Sequence, residues 1–163
     1  VFSHVNLSLA RGESLRISGA HGAGKTALLN IISGLYTPSH GEVLLDGMPA
    51  HHYPSYLRLR HVGFMTTKGA IFRGTIRDNI TRFGLVDMQE AQDISRLLGL
   101  DKEVSALPRG FDTFLEGTET DAIPPGLAQR ITLARVLAEK PRVILFDNAD
   151  RNLDREGYRY MYR

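Results

Sequence analysis

Several features that mark other protein classes are missing from this sequence. None of its 163 residues is a cysteine, which excludes a disulfide framework and a thiol nucleophile and suits a reducing compartment. No apolar run approaches the ~20 residues needed to span a bilayer, and no signal peptide is visible. The 20 Lys and Arg residues are scattered, and the net charge is only +2, which indicates an ordinary solvated surface and no nucleic-acid partner.

The composition that remains is that of a globular domain. Hydrophobic residues make up 42% of the chain and charged residues 23%, and the length suits one compact core. The chain opens directly on the alternating segment VFSHVNLSL and stops inside a predicted helix at YRYMYR. We therefore expect residues 1–163 to form a single domain that is a fragment of a longer polypeptide.

The first third of the chain predicts strands around a glycine-rich loop. Alternating apolar residues predict strands over 2–9 and 13–18, joined by the turn ARGE with Gly12 as its turn residue. The glycine-rich segment that follows leads into a predicted helix over Lys25–Ser33, which ends at Gly34.

Helical periods dominate the second half. Short strands are predicted in 42–47 (EVLLDG) and 61–65 (HVGFM), and a helical subdomain is predicted over about 75–140. The apolar run 142–147 (RVILFD) predicts a parallel strand covered on both faces, which returns to the same sheet. The helical subdomain is therefore expected to be inserted between two strands of one sheet.

The glycine-rich loop matches a phosphate-binding motif at every defined position. The segment GAHGAGKT follows the pattern G-x-x-x-x-G-K-[ST] and stands between a predicted strand and a predicted helix. Its glycines allow the backbone to turn its amides toward phosphate, the lysine reaches the β- and γ-phosphates, and the threonine hydroxyl takes a magnesium position. The predicted nucleotide-binding residues are Gly19, Ala20, His21, Gly22, Ala23, Gly24, Lys25 and Thr26. His21 occupies a free position of the pattern and is expected on the loop surface.

An acid at the end of the last apolar run completes this predicted site. Asp147 follows VILF, where a phosphate-loop protein keeps the carboxylate that holds Mg²⁺, so Thr26 and Asp147 are the predicted metal ligands. A simple strand-end aspartate is the alternative. The next residue is Asn148, an amide where a second acid is expected.

The rest of the chain resembles the ATP-binding domain of ABC transporters. The resemblance is carried, in order and spacing, by GLYTPSHGEVLLDG (34–47), VGFMTTKGAIFRGTIRDNI (62–80), LPRGFDTFLEG (107–117) and GLAQRITLARVLAEKPRVILFDNADRNLD (126–154). The pieces FRGTIRDNI and LPRGFDTFLEG look like the exporter branch of the family. The resemblance implies an α/β fold of the ABC ATPase type: a P-loop NTPase (RecA-like) core, an N-terminal β subdomain and an inserted α-helical subdomain.

Cofactors and partners follow from the same resemblance. In this family two ATP-binding domains, identical or different, dimerise head to tail, and each ATP with its Mg²⁺ lies between the phosphate loop of one domain and a signature loop of the other. The domains work with a transmembrane domain of the same or a partner chain. We therefore expect this chain at the cytoplasmic face of a membrane, the inner membrane if the source is bacterial.

Three functional positions of the family depart from its pattern here, whereas the acid of the loop that links the two sites across the dimer matches at Asp154. The glutamine that contacts Mg²⁺ and the attacking water falls at Thr67, and the catalytic glutamate falls at Asn148. The signature, usually L-S-G-G-Q, falls at Ile123, Pro124, Pro125, Gly126 and Leu127. Its two prolines lack the hydroxyl and the N–H groups that would donate to phosphate.

These departures predict a domain that binds Mg-ATP and couples it to transmembrane transport, with weak or absent hydrolysis. Two alternatives remain open. One is a fully active transport ATPase whose general base is supplied elsewhere, and the other is a soluble ABC-type ATP-binding module that works without a membrane.

Overall fold

The computed structural model describes residues 2–67, 69–118, 121, 123–149 and 159, and it divides into two compact units, Val1–Arg58 and Leu59–Arg163. The elements before the division are helix α1 (Lys25–Ile32), strands β1 (Leu44–Leu45) and β2 (Met48–Pro49), and a 3₁₀ turn (Ala50–His52). Helix α2 (Ser55–His61) contains the division. The elements after it are β3 (Val62–Thr66), β4 (Gly74–Thr75), α3 (Ile76–Thr81), α4 (Met88–Leu97), α5 (Leu100–Ser105), a 3₁₀ turn (Gly110–Asp112), β5 (Phe114–Leu115), α6 (Pro125–Ala138) and β6 (Val143–Asp147).

The predicted strands over 2–9 and 13–18 are wrong. Both segments are described, yet they carry no strand, and nearly all of their side chains are exposed. Alternation shows which side chains could share a face, but a strand also needs a hydrogen-bonded neighbour, and none of the described strands pairs with either segment. The turn between them is confirmed: the Glu13 N–H donates to the Ala10 carbonyl at 3.1 Å, and Gly12 has φ +83°.

Helix α1 agrees with the prediction to within one residue. It begins at Lys25, and its C-cap is Ser33, whose hydroxyl donates to the Asn30 carbonyl at 2.9 Å. Gly34 follows at φ +73°, a conformation that glycine adopts without strain, and the helix ends there. In the segment 42–47 only Leu44–Leu45 form a strand, paired antiparallel with β2.

The second unit is built on a parallel pair of strands. β3 and β6 pair in register from Val62 opposite Val143 to Thr66 opposite Asp147, and helices α3 to α6 lie between the two strands along the chain. Parallel strands require such a crossover connection. Leu145 of β6 is buried whereas Phe146 is 36% exposed, so the expectation that both faces of β6 are covered is met on only one face.

The hydrophobic core of this unit gathers around α6. Its fully buried members include Met65 of β3, Ile76 and Ile80 of α3, Leu98 at the end of α4, Leu100 and Val104 of α5, and Ile131 of α6. Helix α3 starts with a capping box, in which Thr75 and Asp78 each accept a hydrogen bond from the other's backbone N–H. Each helix among the described residues is too short or too polar to span a bilayer.

Gly63 allows α6 to pack closely on β3. A Cβ atom built at Gly63 would lie 2.5 Å from Cγ1 of Val136, closer than side chains approach one another. The variant Gly63→Ala is therefore expected to lower the free energy of unfolding by about 1–3 kcal/mol, because α6 must shift to relieve the overlap. Urea denaturation of the intact protein measures this. The double variant Gly63→Ala/Val136→Ala is the control, because it also removes the Cγ1 atom that the new Cβ would meet, and it is expected to lose less free energy of unfolding than the two single variants together. A loss equal to that sum or larger would contradict the packing argument.

Candidate functional site

The phosphate loop lies in the first unit and has the backbone that its glycines predict. Gly22 has φ +79°, and Gly24, the N-cap of α1, has φ +90°, both in the left-handed region that favours glycine. No side chain caps the helix start, and its first turn contains no acidic residue. An open helix N-terminus without acidic neighbours is a favourable place for an anion.

Lys25 folds back over this loop. Its Nζ donates to the Gly19 carbonyl at 2.9 Å and to the Ala20 carbonyl at 2.8 Å, so the ammonium is held above the loop that precedes it. A Cβ built at Gly19 would already touch Cβ of Ala23 at 3.4 Å, which shows how tightly the loop is wound. His21 is exposed, in agreement with a place on the loop surface. A compact backbone with an ammonium above it fits a phosphate group.

The end of the parallel strand pair in the second unit brings together the other predicted residues. Asp147 ends β6 and is half-buried, and the Thr67 hydroxyl, one residue beyond β3, donates to the Asp147 carbonyl at 3.4 Å. Thr67, which stands where the family has its glutamine, therefore lies beside the acid at the end of β6. The Thr67 hydroxyl bonds the backbone of Asp147.

Asn148 has two properties that its sequence position does not predict. Its Nδ2 donates to Oδ1 of Asp147 at 3.1 Å, so the amide partly satisfies the carboxylate beside it. Its φ is +51°, in the left-handed region that Asn tolerates far better than Glu does. The exposed amide thus occupies a backbone conformation that suits it.

The start of α6 holds the residues of the signature position. Pro124 is the N-cap and Pro125 the first helical residue, and the Leu127 and Ala128 amides both donate to the Pro124 carbonyl, at 3.0 and 3.1 Å. Among the backbone N–H groups of the first turn of α6, that of Gly126 has no hydrogen bond within the described residues. The Leu127 side chain is only 2% exposed and the Ile123 side chain packs against the core, so neither side chain is accessible to a ligand.

Gln129, one helical turn beyond Gly126, was not predicted from the sequence. This side chain is 1% exposed, and its Nε2 donates to the Thr66 and Ala149 carbonyls, both at 2.9 Å. A polar side chain one helical turn before Leu133, in a predicted helix rich in apolar residues, was the available signal. Asp154, the predicted acid of the linking loop, lies outside the described residues.

A second polar network anchors the segment that follows β3. Asn79 is fully buried; its amide donates to the carbonyls of Phe72 and Thr75 at 2.8 and 2.9 Å, and its Oδ1 accepts from Arg135 of α6 at 2.6 Å. The Arg135 guanidinium also lies 4.4 Å from the centre of the Phe72 ring. Burial, and then the charge of Arg82, lower the pKa of Arg135 to about 10, so it stays charged at neutral pH. Helix α6 therefore holds this segment as well as both strand ends.

These features define a protein with a P-loop nucleotide-binding fold. A family model described as ABC transporter matches residues 2–151. The solved structure of a bacterial Atm1-family ABC exporter with ATP bound is similar, with a TM-score of 0.77 and 26% identity, covering 87% of this chain and 25% of that one. The chain belongs to the ABC transporter family, as the sequence predicted, and has the fold of its ATP-binding domain.

Two relatives show the branch of the family that the chain resembles. The toxin RTX-I translocation ATP-binding protein of Actinobacillus pleuropneumoniae is 34% identical over 168 residues, which cover 100% of this chain and 23% of that protein. The colicin V secretion/processing ATP-binding protein CvaB of Escherichia coli is 32% identical over 162 residues, covering 99% and 23%. The predicted resemblance to exporters is thereby confirmed, although the chain spans less than a third of either relative.

Proposed function

We propose that this chain is the ATP-binding domain of an ABC exporter that binds Mg-ATP and couples it to transmembrane transport, with hydrolysis that is weak or absent. The observation that carries the last part is Asn148, an exposed amide that donates to Asp147 at the end of β6. An amide can orient water but cannot accept a proton at neutral pH. Because a general base contributes about 10²- to 10⁴-fold to a rate, its absence is expected to impair hydrolysis severely.

The helix start of α6 supports the same conclusion from a second direction. A signature loop acts by donating hydrogen bonds to phosphate, and here Pro124 and Pro125 have no N–H while the amides of Leu127 and Ala128 are used within the helix. Each hydrogen bond lost to a charged group costs about 1.5–3 kcal/mol. The signature is therefore expected to hold a partner's nucleotide only weakly.

Nucleotide binding itself rests on residues that keep the family pattern. The left-handed glycines of the loop and the Lys25 ammonium would hold the phosphates, and Thr26 and Asp147 would hold Mg²⁺. When bound, Mg²⁺ would supply the positive charge that neutralises the β- and γ-phosphates.

We further propose that the domain pairs head to tail with a second ATP-binding domain, identical or different, beside a transmembrane domain of the same or a partner chain. It would then lie at the cytoplasmic face of a membrane, the inner membrane if the source is bacterial. Because the altered base position and the altered signature are on one chain, both composite sites of any such dimer would be affected. This favours a role for bound ATP as a structural or regulatory clamp over a role as the energy source for transport.

Binding and turnover of labelled ATP by the intact protein test this proposal. We expect saturable, Mg²⁺-dependent binding together with a turnover at least about 10²-fold below the ~1–10³ s⁻¹ typical of enzymes. Multiple-turnover hydrolysis within that range, lost in Lys25→Ala, would instead show a working transport ATPase. If no ATP binds at all, the clamp is also excluded.

A further inference from the structure

The buried side-chain amide of Gln129 connects helix α6 to the ends of strands β3 and β6 in the second unit. Its Nε2 donates to Thr66, the last residue of β3, and to Ala149, two residues beyond β6. Both bonds are 2.9 Å long, and the side chain is 1% exposed. One side-chain nitrogen therefore spans the ends of two neighbouring parallel strands.

The residues beside these contacts are the altered positions of the site. Thr67 follows Thr66 directly, and Asn148 directly precedes Ala149. Since the register of the strand pair ends at Thr66 opposite Asp147, the ladder supplies no further backbone bonds in register beyond that point. The Gln129 bridge thus lies where the ladder stops and the site begins.

Gln129 also belongs to the helix whose start carries the signature position. It lies three residues after Gly126, the first-turn amide that keeps no hydrogen bond within the described residues, and therefore about one helical turn further along. A displacement of this end of α6 would act on both strand ends through the same amide.

The Gln129 side chain does more than fill space in the hydrophobic core. Gln129 Oε1 is buried with no hydrogen-bond partner in the described part of the chain, an arrangement that an apolar side chain of similar size would avoid. What the amide provides that an apolar residue cannot is the pair of donors. Without them, the Thr66 and Ala149 carbonyls would lose the hydrogen bonds that tie them to α6.

We propose that Gln129 is a positioning residue that couples the signature end of α6 to Thr67 and Asn148, so that the two strand ends move together with the helix. This inference rests on the proposed function only for its effect on ATP turnover. The bridge itself can be tested without any turnover.

Hydrogen–deuterium exchange of the intact protein without nucleotide tests the bridge. Gln129→Met removes both donors and keeps an unbranched side chain of similar length. We expect exchange to become about five- to tenfold faster in peptides that contain Thr66–Thr67 and 147–149, because both strand ends lose their tie, and to stay unchanged in α5. No local change, or a uniform increase across the unit, would overturn the proposal.

A matched control lies on the same helix. Thr132 is also buried, and its hydroxyl donates to the Ala70 and Ala128 carbonyls at 3.3 and 3.0 Å, away from the strand ends. Thr132→Val therefore removes a buried hydrogen bond from α6 without touching the bridge, and exchange at the strand ends is expected to stay at the wild-type rate. Faster exchange there in both variants would show general loosening of α6 and overturn a specific role for Gln129.

A second variant covers the case in which Gln129→Met does not fold. Gln129→Asn keeps an amide but is one methylene too short to reach both carbonyls, and the same local pattern is expected. If neither variant folds, Gln129 is a folding residue and the positioning role is refuted.

A kinetic measurement separates the positioning role from the proposed function. In a variant of this protein that hydrolyses ATP measurably, Gln129→Met is expected to lower kcat about tenfold and to leave the Kd for ATP within about twofold, since the phosphate loop is untouched. A weakening of ATP binding as large as the fall in kcat would contradict a positioning role for Gln129. If no variant hydrolyses ATP, the proposed cause of weak hydrolysis fails, while the exchange experiment still decides on the bridge.

Discussion

The variant Pro124→Ser/Pro125→Gly/Asn148→Glu is expected to turn over ATP about 10²- to 10⁴-fold faster than the wild type. The glutamate supplies the missing base, the serine a hydroxyl, and the glycine a backbone N–H at the start of α6 where two prolines now supply none. Steady-state phosphate release from the intact protein, at saturating Mg-ATP, measures the gain.

The control for this prediction follows from the backbone at Asn148. At φ +51°, a longer side chain without Asn's local hydrogen-bonding capacity is strained, at a cost of about 1–2 kcal/mol. Asn148→Glu also replaces the bond from Nδ2 to Asp147 with a second carboxylate beside the first. Asn148→Gln, combined with the same two proline substitutions, carries the same backbone strain and side-chain length without an acid, and is expected to show no gain from a base.

A comparison of Asn148→Glu alone with the triple variant shows how much of the gain in turnover comes from the base and how much from the signature. Asn148→Glu alone is expected to recover less than the triple variant, because the weak signature remains. If it recovers the whole gain, the two prolines contribute little and their proposed effect is refuted. If the variant with Asn148→Gln gains as much as the variant with Asn148→Glu, the missing base is not the cause of weak hydrolysis.

Lys25→Ala is expected to weaken ATP binding by about 10- to 150-fold, which corresponds to the loss of about 1.5–3 kcal/mol for hydrogen bonds to a charged group. The ammonium now bonds the Gly19 and Ala20 carbonyls, and it would have phosphate oxygens as stronger, charged acceptors when ATP is bound. Equilibrium binding of a fluorescent ATP analogue to the intact protein measures the change.

An exposed lysine outside the loop provides the matched control. Lys102→Ala, in α5, removes the same charge from the surface, and is expected to leave the Kd within about twofold because exposed charges are well screened by solvent and salt. Equal weakening by Lys25→Ala and Lys102→Ala would mean that ATP responds to net charge and not to a built phosphate loop.

The phosphate loop and the strand ends illustrate how far a sequence can be interpreted. The eight residues from Gly19 to Thr26 are contiguous, so their conformation depends mainly on local preferences, and the helix does begin at Lys25. β6 was also recognisable, because 142–147 is a continuous apolar run, and β3 lies within one residue of the short strand predicted over 61–65. The periodicity predicts neither α2 nor α5, of seven and six residues, since so short a helix shows hardly two turns of its pattern.

Alternation failed at the beginning of the chain for a different reason. Residues 2–9 and 13–18 have the period of a strand, but a strand exists only with a neighbour that accepts and donates its backbone hydrogen bonds. Local pattern carries no information about whether that neighbour is present.

By itself, the sequence determined the family, the phosphate loop and the three positions that depart from the family pattern, because each of these is a matter of residue identity and spacing along the chain. The local structure added that the amides of Leu127 and Ala128 are used within α6, and that Asn148 has a left-handed backbone and bonds Asp147. Only the tertiary structure decided that Thr67 lies beside Asp147 and that Gln129 bridges two strand ends. The physical reason is that a hydrogen bond is directional and short. Gln129 and Thr66 are 63 residues apart in the chain, and it is the packing of α6 on the strand pair that brings their atoms within 2.9 Å.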